Sequence, residues 1–142
     1  SKATGKEAAS MRSYSLCVES EEPFRDARGE LQVLLRDKIA SVTRITSLAG
    51  TRRADHWHRE DSHLCYVERG LVKYLERAVG SSAAPVAKLF AEGDMFFTGP
   101  NVEHSMEFLE DSVLYCFANR DRTQSDYETD LVRLAKPLVE QD

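Results

Sequence analysis

Gly50-Thr51-Arg52-Arg53-Ala54-Asp55-His56-Trp57-His58-Arg59-Glu60-Asp61-Ser62-His63 decides how this chain folds, because it holds three of the four histidines, and the fourth, His104, follows a Gly-Pro turn. Side chains alternate faces along a strand, so His56 and His58 point the same way. His63, Cys65 and Val67 then share a face of the next strand, and His104 lies on a later hairpin with Met106 and Phe108. Four imidazoles aimed at one point are a ligand set for a divalent transition metal: iron, zinc, nickel, manganese or cobalt.

Outward from that stretch, short apolar segments alternate with Gly, Pro or Asp breaks, which is the rhythm of an all-β sandwich or barrel. Strands are expected at Leu31 to Leu35, Ser41 to Leu48, Ala54 to His58, His63 to Val67, Leu71 to Glu76, Val86 to Phe90, Met95 to Thr98, Val102 to Phe108 and Val113 to Ala118. Gly80 to Pro85 reads as a hairpin loop. After Arg120 the pattern changes. Ser125 can cap a helix opening with Asp126 and Glu128, and Leu131, Leu134 and Leu138 recur at helical spacing, so a short C-terminal helix over 121–142 should pack on the outside of the barrel. Residues 1–12 carry no period and are expected to be a flexible leader, with Met11 a candidate native start.

The 142 residues, 42% hydrophobic and 30% charged, suit one domain with a real core, here placed at 13–120. A net charge of −5 disfavours a broad nucleic-acid surface. No apolar run approaches the roughly 20 residues needed to span a bilayer, so a cytoplasmic protein without membrane or nucleic-acid partners is expected. Three scattered cysteines do not form the framework of a small secreted domain and are read as reduced thiols.

Gly50, His56, His58, His63 and Gly70, followed by Gly93, Pro100 and His104, resemble the two motifs of the cupin superfamily. His63 stands where the family usually has Glu, and Phe108 where an Asn is common. The resemblance implies a double-stranded β-helix, or jelly-roll barrel, a metal held by His56, His58, His63 and His104, and a homodimer built through an outer sheet or exchanged N-terminal strands, for which Leu31 to Leu35 could serve. A weaker resemblance, in Phe24-Arg25-Asp26-Ala27-Arg28-Gly29 and in Ser47 to His56, is to cupins that modify nucleotide sugars. Among the metal-free epimerases of that group, the reactive His would match His56.

Other pocket candidates are Arg52, which has the parity of His56 and suits a phosphate or carboxylate, Cys65, Met106 and Phe108 as substrate contacts, and Tyr74 and Tyr115 as catalytic phenols. A solvated Arg52, and core positions for the thiol and phenols, are the alternatives. Three functions compete: a metal-dependent isomerase or epimerase of a small oxygen-rich keto or sugar-like substrate, working through an enediolate; an Fe(II) dioxygenase; and a non-catalytic metal- or ligand-binding cupin.

Overall fold

The computed structural model describes residues 10–121 and 123–141; of the leader expected over 1–12, residues 1–9 lie outside them. Among the described residues the chain is mostly β, with one short helix. One five-stranded antiparallel sheet has the order β1 (Cys17–Val18), β9 (Met95–Thr98), β6 (His63–Arg69), β11 (Ser112–Ala118), β4 (Ser41–Ser47). A second has the order β12 (Leu131–Arg133), β5 (Arg52–His58), β10 (Val102–Phe108), β7 (Leu71–Ala78), β8 (Val86–Ala91). A separate hairpin joins β2 (Phe24–Asp26) to β3 (Gly29–Leu31).

Period-2 patterning explains the packing of the two sheets. Val67 and Cys65 from β6, Leu114 and Cys116 from β11, and Phe96 from β9 meet Val72 and Tyr74 from β7, Phe90 from β8, and Met106 and Phe108 from β10 in one buried cluster. The link from β6 to β7 carries the chain from one sheet to the other at Gly70. Its φ is +105°, and a Cβ there would stand 2.7 Å from the Asp111 carbonyl, so only glycine fits the crossing. A second cluster covers the outer face of the first sheet, where Met11, Leu64, Met95 and Phe97 pack with Tyr14, Leu34 and Leu35. Met11 is thus held, and its N–H donates to Asn119 Oδ1 at 2.8 Å.

Two expectations are corrected here. Residues 32–35 form no strand; Leu34 and Leu35 instead lie over the outer cluster. The C-terminal helix, α1 (Gln124–Asp130), is capped by Thr123, whose hydroxyl accepts the Asp126 N–H at 3.3 Å, and it ends before the leucine series. Leu131–Arg133 is a strand, β12, because the open edge of β5 offers it a backbone ladder: Leu131 lies opposite His58 and Arg133 opposite His56. A seven-residue helix has little stability of its own, so its placement is set by what it touches.

Candidate active site

The histidines gather at one end of the space between the sheets. His56 and His104 sit opposite each other on β5 and β10, with ring centroids 4.7 Å apart; His58 is 4.8 Å from His56 and 5.8 Å from His104. His63 arrives on β6 of the facing sheet, 5.4 Å from His104. His58, His63 and His104 are buried, and His56 is half-buried. Strand parity therefore brings all four together, although from opposing sheets.

Hydrogen bonds fix some of the tautomers. Nδ1 of His104 lies 2.9 Å from the Val102 carbonyl, which can only accept, so Nδ1 carries the proton and Nε2 presents a lone pair. Burial, then the charges of His63, His56 and His58, hold this imidazole well below the usual histidine range, so it is neutral at pH 7. His58 Nδ1 donates to Asp130 Oδ2 at 3.0 Å. Asp130, at the end of α1, also accepts the N–H groups of Glu60 at 2.8 Å and Asp61 at 3.3 Å. A buried carboxylate accepting three donors is a rigid anchor, and it holds α1 against the histidine end.

A cavity of about 170 Å³ opens beside this cluster, lined by His56, His63, His104, Cys65, Cys116, Met106, Ile45, Ala54, Arg53 and Tyr127. Tyr127 comes from α1, with its ring 6.4 Å from that of His56 and 6.0 Å from that of His58. The helix expected on the outside of the barrel thus supplies a wall of the cavity.

A bulge decides which arginine reaches the cavity. His56 pairs with His104 and Ala54 with Ser105, leaving Asp55 as an extra residue on β5. Ala54 and Asp55 have φ of 70° and 57°, a left-handed kink. The extra residue reverses the face of everything upstream. Arg53 therefore lies opposite Met106 on the cavity side, its guanidinium donating to Ser47 Oγ and the Thr46 carbonyl. Arg52, expected to bind substrate, lies opposite Glu107 on the outer face and pairs with Glu107 and Asp55.

The other expected site residues divide. Cys65 and Met106 line the cavity, whereas Phe108 is packed among apolar side chains between the sheets. Tyr74 is buried there too, its hydroxyl bonded to Thr98 Oγ1 and Glu76 Oε2. Burial and the Glu76 charge push its phenol well above the ordinary value. Tyr115 lies between the inward-facing Leu114 and Cys116 and faces away, opposite Tyr66. Sequence reading missed Arg53, Tyr127, Asp130 and Cys116. For Asp130 a signal existed, since a carboxylate flanked by apolar Leu131 at a helix end has reason to be there; for Arg53 none did.

No protein-family model and no curated protein sequence matches the chain. Solved structures with the same fold include the sugar 3,4-ketoisomerase QdtA from Thermoanaerobacterium thermosaccharolyticum in complex with TDP, at 19% identity and TM-score 0.68 over 82% of this chain and 85% of that one. A 3,4-ketoisomerase from Helicobacter canadensis is similar at 16% identity and TM-score 0.68, covering 80% and 86%. A dTDP-4-dehydrorhamnose 3,5-epimerase from Sulfolobus tokodaii is similar at 18% and 0.58, covering 76% and 78%.

These similarities correct the expected cofactor. The neighbours are sugar isomerases and epimerases of a kind that is generally metal-independent, so one divalent metal per chain is not supported. The geometry also divides the expected ligand set. Ligand atoms of His56, His58 and His104 lie within 4.8 Å of one another, whereas His63 groups with Cys65 and Cys116. The chain shares the jelly-roll fold of RmlC-like nucleotide-sugar isomerases and epimerases, which are cupin-like.

Proposed function

We propose that this chain is an isomerase or epimerase of a keto-sugar carried on a nucleoside diphosphate such as TDP, and that it works by proton transfer between side chains without a metal. The observation that supports it most is the cavity itself: a phenol and several imidazoles, one with its tautomer set by a backbone carbonyl, surround a space with apolar walls.

In a 3,4-keto isomerisation, a base takes the proton from the carbon bearing the hydroxyl next to the ketone. The C–H electrons form an enediolate whose charge rests on the former carbonyl oxygen. His56, half-buried and lining the cavity, is the base in this reading. Tyr127 donates a hydrogen bond to the oxygen that gains charge. His104 Nε2 accepts a hydrogen bond from the substrate hydroxyl; His56, its proton exchanged with solvent, protonates the neighbouring carbon, and the hydroxyl proton passes through Tyr127 to the former carbonyl oxygen as the new carbonyl forms. No electrons leave the substrate. His58 and Asp130 orient His56 and Tyr127 from behind, and Arg53 at the cavity edge suits the diphosphate.

In the same reading the two sheets are the halves of a cupin double-stranded β-helix and the protein is a homodimer. The β2–β3 hairpin supports the dimer, because its cross-strand apolar pair, Phe24 and Leu31, is 62% and 74% exposed. The decisive experiment incubates chelator-treated protein with a TDP-4-keto-6-deoxyhexose in deuterium oxide. Deuterium should enter the carbon next to the carbonyl as the keto group moves or the centre inverts. Turnover without any deuterium uptake, or turnover that needs added metal, would overturn the reading.

A further inference from the structure

Cys65 and Cys116 are cross-strand partners on β6 and β11, 1% and 2% exposed, with both side chains directed between the sheets. They are also part of the cavity wall, so a small molecule entering the cavity meets two thiols side by side. Their sulfurs and a ring nitrogen of His63 all lie within 4.8 Å of one another, and His63 Nδ1 is 3.8 Å from Cys65 Sγ. The isomerisation proposed above uses neither thiol.

We propose that Cys65 and Cys116 form a redox-active dithiol in the cavity, which takes thiophilic ligands and closes to a cross-strand disulfide. Backbone geometry permits it: residues directly opposite in an antiparallel pair have Cα atoms about 4.5–5.5 Å apart, inside the span of about 4.4–6.8 Å that a disulfide bridges. Closure therefore needs rotation about the two Cα–Cβ bonds and no strand movement. The cavity also selects the reagent. At about 170 Å³ it admits a small symmetrical disulfide and excludes a bulky peptide disulfide.

The step balances as a thiol–disulfide exchange. His63 Nδ1 takes the Cys65 proton, and the thiolate attacks one sulfur of a small disulfide RSSR. A mixed disulfide forms on Cys65 and the first RS⁻ leaves, taking up a proton as RSH. The Cys116 thiol, losing its proton, then attacks Cys65 Sγ and expels the second RS⁻, which becomes RSH. Two protein thiols are oxidised to one disulfide and RSSR is reduced to two RSH. Cys17 is exposed on β1 and takes no part.

The test uses the full chain carrying Cys17→Ser, which removes the exposed thiol and leaves the cavity untouched. The folded protein is treated with excess 2-hydroxyethyl disulfide, quenched in acid, denatured, alkylated with N-ethylmaleimide and weighed intact. Untreated protein should carry two maleimide adducts. Treated protein should carry none and be lighter by two hydrogens, with both adducts restored by dithiothreitol. Full alkylation after treatment, or a persistent mixed disulfide on either cysteine, would overturn the proposal. A second measurement needs no oxidation: phenylarsine oxide, which bridges two neighbouring thiols, should remain bound at one equivalent per chain through gel filtration. Its loss from this protein would also count against the dithiol. Both readouts are independent of catalysis, so failure of the isomerase reading leaves them intact, and their failure leaves that reading intact.

Discussion

Replacing Asp130 tests whether the histidine end is held as the geometry indicates. The carboxylate is 7% exposed and accepts three donors: His58 Nδ1–H, the Glu60 N–H and the Asp61 N–H. Hydrogen bonds to a charged group contribute about 1.5–3 kcal/mol each, and buried donors left without a partner cost about as much again. The three share one carboxylate, so their losses do not add. Asp130→Ala should therefore lower unfolding free energy by roughly 3–5 kcal/mol, a large part of the total for a domain of this size. Asp130→Asn keeps the shape and one acceptor oxygen. That oxygen cannot serve both His58 with Asp61 on one side and Glu60 on the other, so this variant should lose about 1.5–3 kcal/mol. Urea denaturation at pH 7.5 measures both, and nitrogen NMR of the imidazoles reports the tautomer of His58. In the Asn variant with its amide nitrogen turned to the ring, Nδ1 must become the acceptor and the proton must move to Nε2. A loss below about 1 kcal/mol in the Ala variant, with the His58 tautomer unchanged, would refute the anchoring role.

Three further outcomes are expected. The His104 imidazole is held well below its unfolded value, so as pH falls the unfolded state takes up a proton that the folded state refuses. With an unfolded value near 6.5, one such group removes about 1.3 kcal/mol of stability between pH 7 and 5.5, and His104→Gln should flatten that slope in urea titrations. The bulge at Asp55 predicts opposite phenotypes for adjacent arginines. Arg53→Ala should raise KM for a TDP-sugar roughly tenfold, while Arg52→Ala, which removes half-exposed ion pairs, should cost about 1 kcal/mol of stability and leave KM unchanged. Tyr127→Phe keeps the ring and its packing but removes the donor, and should lower kcat on the order of 100-fold with little change in KM; an unchanged kcat would remove Tyr127 from the mechanism.

Much of this architecture was legible in local pattern. Alternation of apolar residues located eight of the described strands, β4 to β11, in part or whole, because burial on one face of a sheet imposes a period of two on any sequence that forms it. The same parity correctly put His56 beside His58 and His63 beside Cys65. What eluded it were short or edge elements: β1, β2, β3 and β12 are two or three residues long, and nothing in so few positions shows a period. The leucines at 131, 134 and 138 had helical spacing, yet all three follow the helix, and the first is a strand residue.

For the site, the sequence by itself determined which residues could do chemistry and which faces of their own strands they share, since these depend on side-chain identity and on geometry within a few residues. Only the tertiary structure decided which strands face one another. The Asp55 bulge exchanged Arg52 for Arg53 through one extra residue whose effect exists only against the register of β10. Tyr127 and Asp130 reach the histidines because β12 pairs with β5, tying residues more than 70 positions apart. Cys116 meets Cys65 by the pairing of β11 with β6. Strand pairing and bulges are cooperative, long-range choices among registers that satisfy local pattern equally well, and it is the packing of two sheets around one core that selects among them.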